Sequence, residues 1–138
     1  MFKNILLATD GSKHSIRSTE HAIELARKFE GTIQVIYVVD GSKSKSDVLH
    51  HADKFSVEQS RREKIHPVED VLHRAGVSYS VEILHGDAGP TIVRYANNGE
   101  FDCVVIASRG LNNLQTFILG SVSHKVAKRV NCPVLIIK

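Results

Sequence analysis

The stretch that decides the fold is Asp102-Cys103-Val104-Val105-Ile106-Ala107-Ser108-Arg109-Gly110, then nine residues, then Gly120-Ser121-Val122-Ser123, and finally Cys132-Pro133-Val134-Leu135-Ile136-Ile137. Two short apolar runs, 102–107 and 133–137, flank a segment where Val122, Val126, Ala127 and Val130 recur at helical spacing. Strand, helix and strand in that order give a parallel pair with a right-handed crossover. Each run is apolar at consecutive positions, which predicts a sheet covered on both faces.

The alternation continues back to the N-terminus. Strands are expected at 3–9, 32–39 and 78–84. Between them, Ile16, Ile23, Leu25, Ala26 and Phe29 make one helical face, and Val68, Val71, Leu72 and Ala75 make another. Gly31, Gly76 and Gly99 each stand where a helix gives way to a strand, the place for a left-handed residue. Ser12 and Ser121 are expected to cap the first and last helices, and Pro90 suits the first turn of a third. Residues 40–47 read as a polar loop. Pro67 is expected to divide or kink the helix over 48–75. No linker divides the chain, so residues 1–138 are read as one domain.

Apolar residues make 42 % of the chain and charged residues 24 %, which excludes disordered, collagen-like and disulfide-scaffold classes. No apolar run approaches the ~20 residues of a bilayer span, and no secretory leader is legible. A cytoplasmic protein is expected, with Cys103 and Cys132 as reduced, packed thiols. All 15 acidic residues stand at or before Asp102, whereas Arg109, Lys125, Lys128, Arg129 and Lys138 follow it. The C-terminal quarter is therefore a positive field that favours an anionic ligand.

In an open parallel sheet, ligands sit beyond the carboxyl ends of the strands, where the strand order reverses. The loop 107–121 carries the clearest signal there. Gly120 permits close backbone approach and is expected to need positive φ. Gly120-Ser121 lies where the loop meets a helix, so free N–H groups and the positive helix end converge. Ser121 and Ser123 add hydroxyls and Arg109 a charge, a set suited to phosphate. Plain helix capping is the alternative reading of the same residues. Asp10 ends the first strand at the same switch point, where it is either a ligand carboxylate or an acid favoured by the helix dipole.

These residues resemble the universal stress protein family, whose nucleotide signature is Gly-x2-Gly-x9-Gly-Ser/Thr. Here it stands as Ala107-x2-Gly110-x9-Gly120-Ser121, with Ala107 in place of the first glycine. Asp10-Gly11-Ser12 and Cys132-Pro133-Val134-Leu135-Ile136-Ile137 extend the resemblance over essentially the whole chain. It implies an α/β, Rossmann-like (adenine nucleotide alpha hydrolase-like) parallel sheet of order 3-2-1-4-5 with helices on both faces. It implies ATP, with Mg²⁺ on its phosphates, bound by Ala8, Thr9, Asp10, Val38, Ala107, Arg109, Gly110, Gly120, Ser121, Val122 and Ser123. Val38 would meet adenine through its backbone, and Asp10 is the candidate carboxylate for the metal or a ribose hydroxyl. It further implies a homodimer pairing strand 133–137 across a two-fold axis.

The expected function is a cytosolic stress protein that binds ATP as a regulatory ligand. The alternatives are a nucleotide-free dimeric interaction protein and a slow ATPase. No general base or nucleophile is legible, and no Ser/His/Asp or Cys/His grouping is present. No Gly-x4-Gly-Lys-Ser/Thr and no Gly-x-Gly-x-x-Gly occurs. Aromatics make 6 % and do not interleave with Lys or Arg, so nucleic acid is not an expected partner, nor is a membrane. Of the eight histidines, His14 with His21 and His66 with His73 are spaced to share helix faces, and all are read as surface residues except His85, whose role stays open.

Overall fold

The computed structural model describes residues 1–39, 54–108 and 120–138. The polar loop 40–47, His50, His51, Arg109 and Gly110 lie outside the described residues. The order is β1 (Asn4–Thr9), α1 (Lys13–Phe29), β2 (Thr32–Val39), α2 (Lys54–Ala75), β3 (Tyr79–His85), α3 (Ala88–Asn98), β4 (Cys103–Ala107), α4 (Ser121–Arg129) and β5 (Val134–Ile137). The sheet runs β3-β2-β1-β4-β5, and every pairing is parallel.

Strand periodicity sorts the apolar residues to two faces. Ile5, Leu7, Ile33, Val35, Cys103, Val105 and Ile137 pack with Ala22, Ile23 and Ala26 of α1 and Val68 and Leu72 of α2. Leu6, Ala8, Ile36, Val38, Val104 and Ile106 pack with Ile92 and Ala96 of α3 and Val126 of α4. Successive strand residues thus alternate between two covered faces, the pattern their unbroken hydrophobicity predicts. Each fully buried Leu, Ile or Val contributes roughly 1.5–3 kcal/mol over leaving it in water.

Four local readings change. Glu30, not Gly31, takes the left-handed conformation that ends α1, at φ 54° and ψ 44°. Gly31 is confined by contact instead, because a Cβ there would stand 2.6 Å from the Phe2 carbonyl oxygen. Gly99 is extended at φ −95°, whereas Gly76 is left-handed at φ 72° as expected. Pro67 lies inside α2 and does not divide it, since one helix runs over Lys54–Ala75. Finally, α1 buries Ser15, Ser18 and Thr19 along with Ala22, Ile23 and Ala26. The hydroxyls of Ser18 and Thr19 donate to the Ser15 carbonyl at 3.0 and 2.6 Å, so these small polar residues enter the core satisfied.

Candidate functional site

The strand order reverses between β1 and β4. Ala8 lies opposite Ile36 on one side and Ile106 on the other. The chain leaves β1 into α1 on one face of the sheet and leaves β4 towards α4 on the other. A crevice therefore opens at the carboxyl ends of β1 and β4, between the two helix N-termini.

On the β1 side, a tight turn carries the chain from Thr9 to α1. The Gly11 N–H donates to Thr9 Oγ1 at 3.1 Å, and the Ser12 N–H donates to Asp10 Oδ1 at 2.9 Å. Gly11 sits at φ 77°, and a Cβ there would come within 2.8 Å of the Lys64 carbonyl oxygen of α2. Positive φ and helix contact thus both require glycine at this turn. Ser12 occupies the N-cap position without a side-chain cap bond, and its hydroxyl is buried without a partner. This corrects its expected capping role and leaves a polar atom unused at the crevice.

On the β4 side, the Ser108 carbonyl accepts from the Gly120 N–H at 3.0 Å and from the Ser123 hydroxyl at 3.3 Å. The Ser108 N–H donates to Ile137 at 2.8 Å. Ser108 is thereby fastened to Gly120 and to β5. Gly120 itself is the N-cap of α4, at φ −60° and ψ 157°, and Ser121 is the first helical residue. Ser121 is thus not the cap, and Gly120 does not need positive φ. Its constraint is proximity: a Cβ would stand 3.1 Å from the Ser108 carbonyl oxygen.

The first intrahelical bond of α4 runs from the His124 N–H to the Gly120 carbonyl, at 3.0 Å. The N–H groups of Ser121, Val122 and Ser123 precede it, and such groups have no acceptor within a helix. Neither α1 nor α4 has an acidic residue in its first turn, so no side chain there offsets the positive helix end. Ser121 is exposed, Val122 half-buried and Ser123 buried.

The structure therefore brings Ala8, Thr9, Asp10, Ala107, Gly120, Ser121, Val122 and Ser123 to one end of the sheet. Val38 lies near the end of the adjacent β2, with its side chain in the core and 5 % exposed, so only its backbone is available to a ligand there. Among the described residues, no group of three or more His, Cys, Asp or Glu side chains is placed to hold a metal ion. One carboxylate beside an anion-binding helix end fits Mg²⁺ carried on phosphates, since that ion keeps its waters and takes few protein ligands. Asp10 would be the protein ligand in that arrangement.

Sequence reasoning missed Arg61, which is 8 % exposed. It stands on the buried stripe Val57, Arg61, Ile65, Val68 and Leu72 of α2, so a base at apolar spacing was the available signal. Its Nη1 lies 3.4 Å from Nε2 of His85. Guanidinium can only donate, so this nitrogen accepts and the ring proton sits on Nδ1. His21, His66, His73 and His124 are exposed and His14 is half-buried. Burial pushes the Cys103 thiol up to about 11, with Cys132 nearby adding to the effect. Burial also raises the Cys132 thiol.

A sequence model described as the Universal stress protein family matches residues 1–138. Universal stress protein MJ0531 of Methanocaldococcus jannaschii is 31 % identical, covering 100 % of this chain and 83 % of that one. The solved structure of hypothetical protein MJ0577 superposes with a TM-score of 0.84 at 26 % identity, covering 100 % of this chain and 96 % of that one. Two further solved structures share the fold at 20 % identity each. A universal stress protein in complex with cAMP covers 99 % of this chain and 96 % of its own, with a TM-score of 0.74. The universal stress protein from Archaeoglobus fulgidus in complex with dAMP covers 100 % of both chains, with a TM-score of 0.73.

Proposed function

Because the chain belongs to the universal stress protein family, we propose that it binds ATP at the β1–β4 crevice as a regulatory ligand in the cytosol. The observation that carries this reading is the α4 N-terminus. Gly120 is held against the Ser108 carbonyl, and three successive first-turn N–H groups follow. An anion at that spot satisfies donors that the helix itself cannot. The solved relatives in complex with cAMP and dAMP support an adenine nucleotide as the occupant. Arg109 and Gly110 belong to the same site under this reading.

In this proposal the α4 N–H groups, that of Ser123 among them, and the Ser121 hydroxyl bind phosphates, while Asp10 carries Mg²⁺ or a ribose hydroxyl. Mg²⁺ supplies charge neutralisation of the phosphates. The buried Ser12 hydroxyl is a further donor for the ligand. In this reading occupancy rather than turnover is the signal. The test is to denature freshly purified protein and take the mass and absorbance of what is released. An adenine spectrum with the mass of ATP supports the reading, and a ligand-free protein that also fails to bind added ATP overturns it.

Assembly forms the second part of the proposal. Among the described residues β5 pairs only with β4, and Leu135 is 37 % exposed. An apolar strand edge invites pairing with another chain. A two-fold antiparallel pairing of β5 would cover it and close the assembly as a homodimer. Ile136 packs against the α3/α4 cluster, so Leu135 is the residue that reports on the interface. Light scattering should give a dimer for the wild type and a monomer for a folded Leu135→Lys variant. A monomeric wild type at tens of micromolar, about where a micromolar contact is populated, refutes the dimer.

A further inference from the structure

The flank formed by β3 and α3 holds a cavity of about 440 Å³, on the far side of β2 from β1 and β4. That size falls in the range of small-molecule sites, roughly 300–1,000 Å³. Its floor is apolar. Leu84 lies beside Tyr95 and Phe101, whose rings stack at 5.8 Å between centroids and 29° between planes. Its rim is cationic and rich in donors. Arg94 lines it, is exposed, and makes no hydrogen bond or ion pair among the described residues. His85 lines it too, and its Nε2 is engaged by Arg61, which leaves the Nδ1–H as the ring's donor.

Two further features belong to this cavity. Thr91 is 7 % exposed, and its hydroxyl is buried with no partner. Next to Thr91, Gly86 has φ 137°, and a Cβ there would stand 2.8 Å from Thr91 Oγ1, so the backbone closes over this hydroxyl. The one carboxylate that meets the aromatic floor, Glu82, accepts the Tyr95 hydroxyl at 2.6 Å and is thereby engaged.

We propose that this cavity is a second ligand site, for a small flat apolar molecule bearing one carboxylate or a similar anion. The ring lies over Leu84, Tyr95 and Phe101, and the anion meets Arg94 and the His85 Nδ1–H. A planar guanidinium suits a carboxylate, accepting it on two parallel N–H groups. The site shares no residue with the β1–β4 crevice, although Leu84 and His85 pair with Val38 and Val39 of β2.

The test uses 2-naphthoate as the probe, titrated into the full chain with saturating ATP present, followed by calorimetry and by backbone amide shifts. One naphthoate per chain is expected, with shifts confined to residues around Leu84, Thr91, Arg94 and Phe101. Arg94→Gln, on the surface and without a structural partner, should weaken naphthoate about tenfold and bring it level with neutral 2-naphthamide. Three results overturn the proposal: no binding at millimolar probe, shifts centred on Ala107–Ser123, or unchanged naphthoate affinity in Arg94→Gln. Failure of the nucleotide reading would show separately, as absent ATP binding with naphthoate binding intact.

Discussion

At the crevice, backbone makes the site. Gly11 is turned by positive φ against α2, Gly120 is pressed to the Ser108 carbonyl, and the first turn of α4 presents its N–H groups. At the β3–α3 flank, side chains make it, from a strand, a helix and the loop that carries Phe101. The difference decides what each place tolerates. A backbone site fails when a side chain is added at a point of close approach such as Gly120, and it accepts changes in side-chain chemistry nearby. A side-chain site responds to the loss of one charge or one hydroxyl. The two also differ in the ligand they favour, since helix N–H groups suit phosphate oxygens whereas a ring stack with an arginine suits a flat organic anion.

The largest expected effect separates the two directly. Gly120→Val drives a β-branched side chain into the Ser108 carbonyl, which already lies 3.1 Å from where a Cβ would stand. ATP affinity should fall by about thirtyfold or more, roughly 2 kcal/mol, while naphthoate binding at the flank is unchanged. Circular dichroism confirms folding, and calorimetry reads both ligands. Equal loss of both would show that the two regions are one coupled unit.

Next comes Thr91→Val, which removes the orphan hydroxyl at nearly constant shape. Relieving an unsatisfied buried group stabilises by about 1 kcal/mol or more, so the ligand-free protein should gain a few degrees in thermal midpoint. A lowered midpoint would mean that the hydroxyl has a partner in solution. The same exchange elsewhere on α1 should do the opposite, because Thr19 donates to the Ser15 carbonyl.

The Tyr95 phenol provides a pH test of the flank alone. Burial, then the Glu82 hydrogen bond and charge, push it up to about 12 from 10.0. The folded protein therefore holds this proton where the unfolded chain has lost it. Its stabilising contribution is complete below pH 10 and fades as pH rises through 12. Ultraviolet titration of the wild type against Tyr95→Phe should show the variant lacking a tyrosine transition near 12. A Tyr95 transition near 10 would show that the contact with Glu82 does not persist.

The smallest effect is Ala107→Gly at the crevice. It restores the glycine of the family signature at the end of β4, where Ala107 is half-buried. ATP affinity should stay equal or rise within about threefold, on the order of half a kcal/mol. A clear loss at unchanged stability would show that the methyl group assists binding.

These two regions also differ in how they were written in the sequence. The crevice was legible because two short motifs mark its two sides: Gly120-Ser121 at a helix start and Asp10-Gly11-Ser12 at a strand end. The sheet was legible too, since unbroken apolar runs and helical periods alternate along the chain. What failed was local chemistry that depends on distance. Ser12 reads as a cap, yet its hydroxyl makes no cap bond. Gly31 reads as left-handed, yet Glu30 takes that role and Gly31 is held by the Phe2 carbonyl. The buried face of α1 was legible in Ile16, Ile23, Leu25 and Ala26 but incomplete, because Ser15, Ser18 and Thr19 hide their hydroxyls against preceding backbone. The flank cavity was not legible at all. Leu84, Arg94 and Phe101 share no period, and only the packing of α3 on β3 brings them together.

The central claim is that the crevice binds adenine nucleotide, and calorimetry of ATP with Mg²⁺ against the nucleotide-stripped wild-type chain tests it most directly. The account predicts one ATP per chain, with an affinity of about micromolar or tighter that Gly120→Val removes. No heat and no saturation up to about millimolar ATP, in protein whose fold is intact, would contradict it.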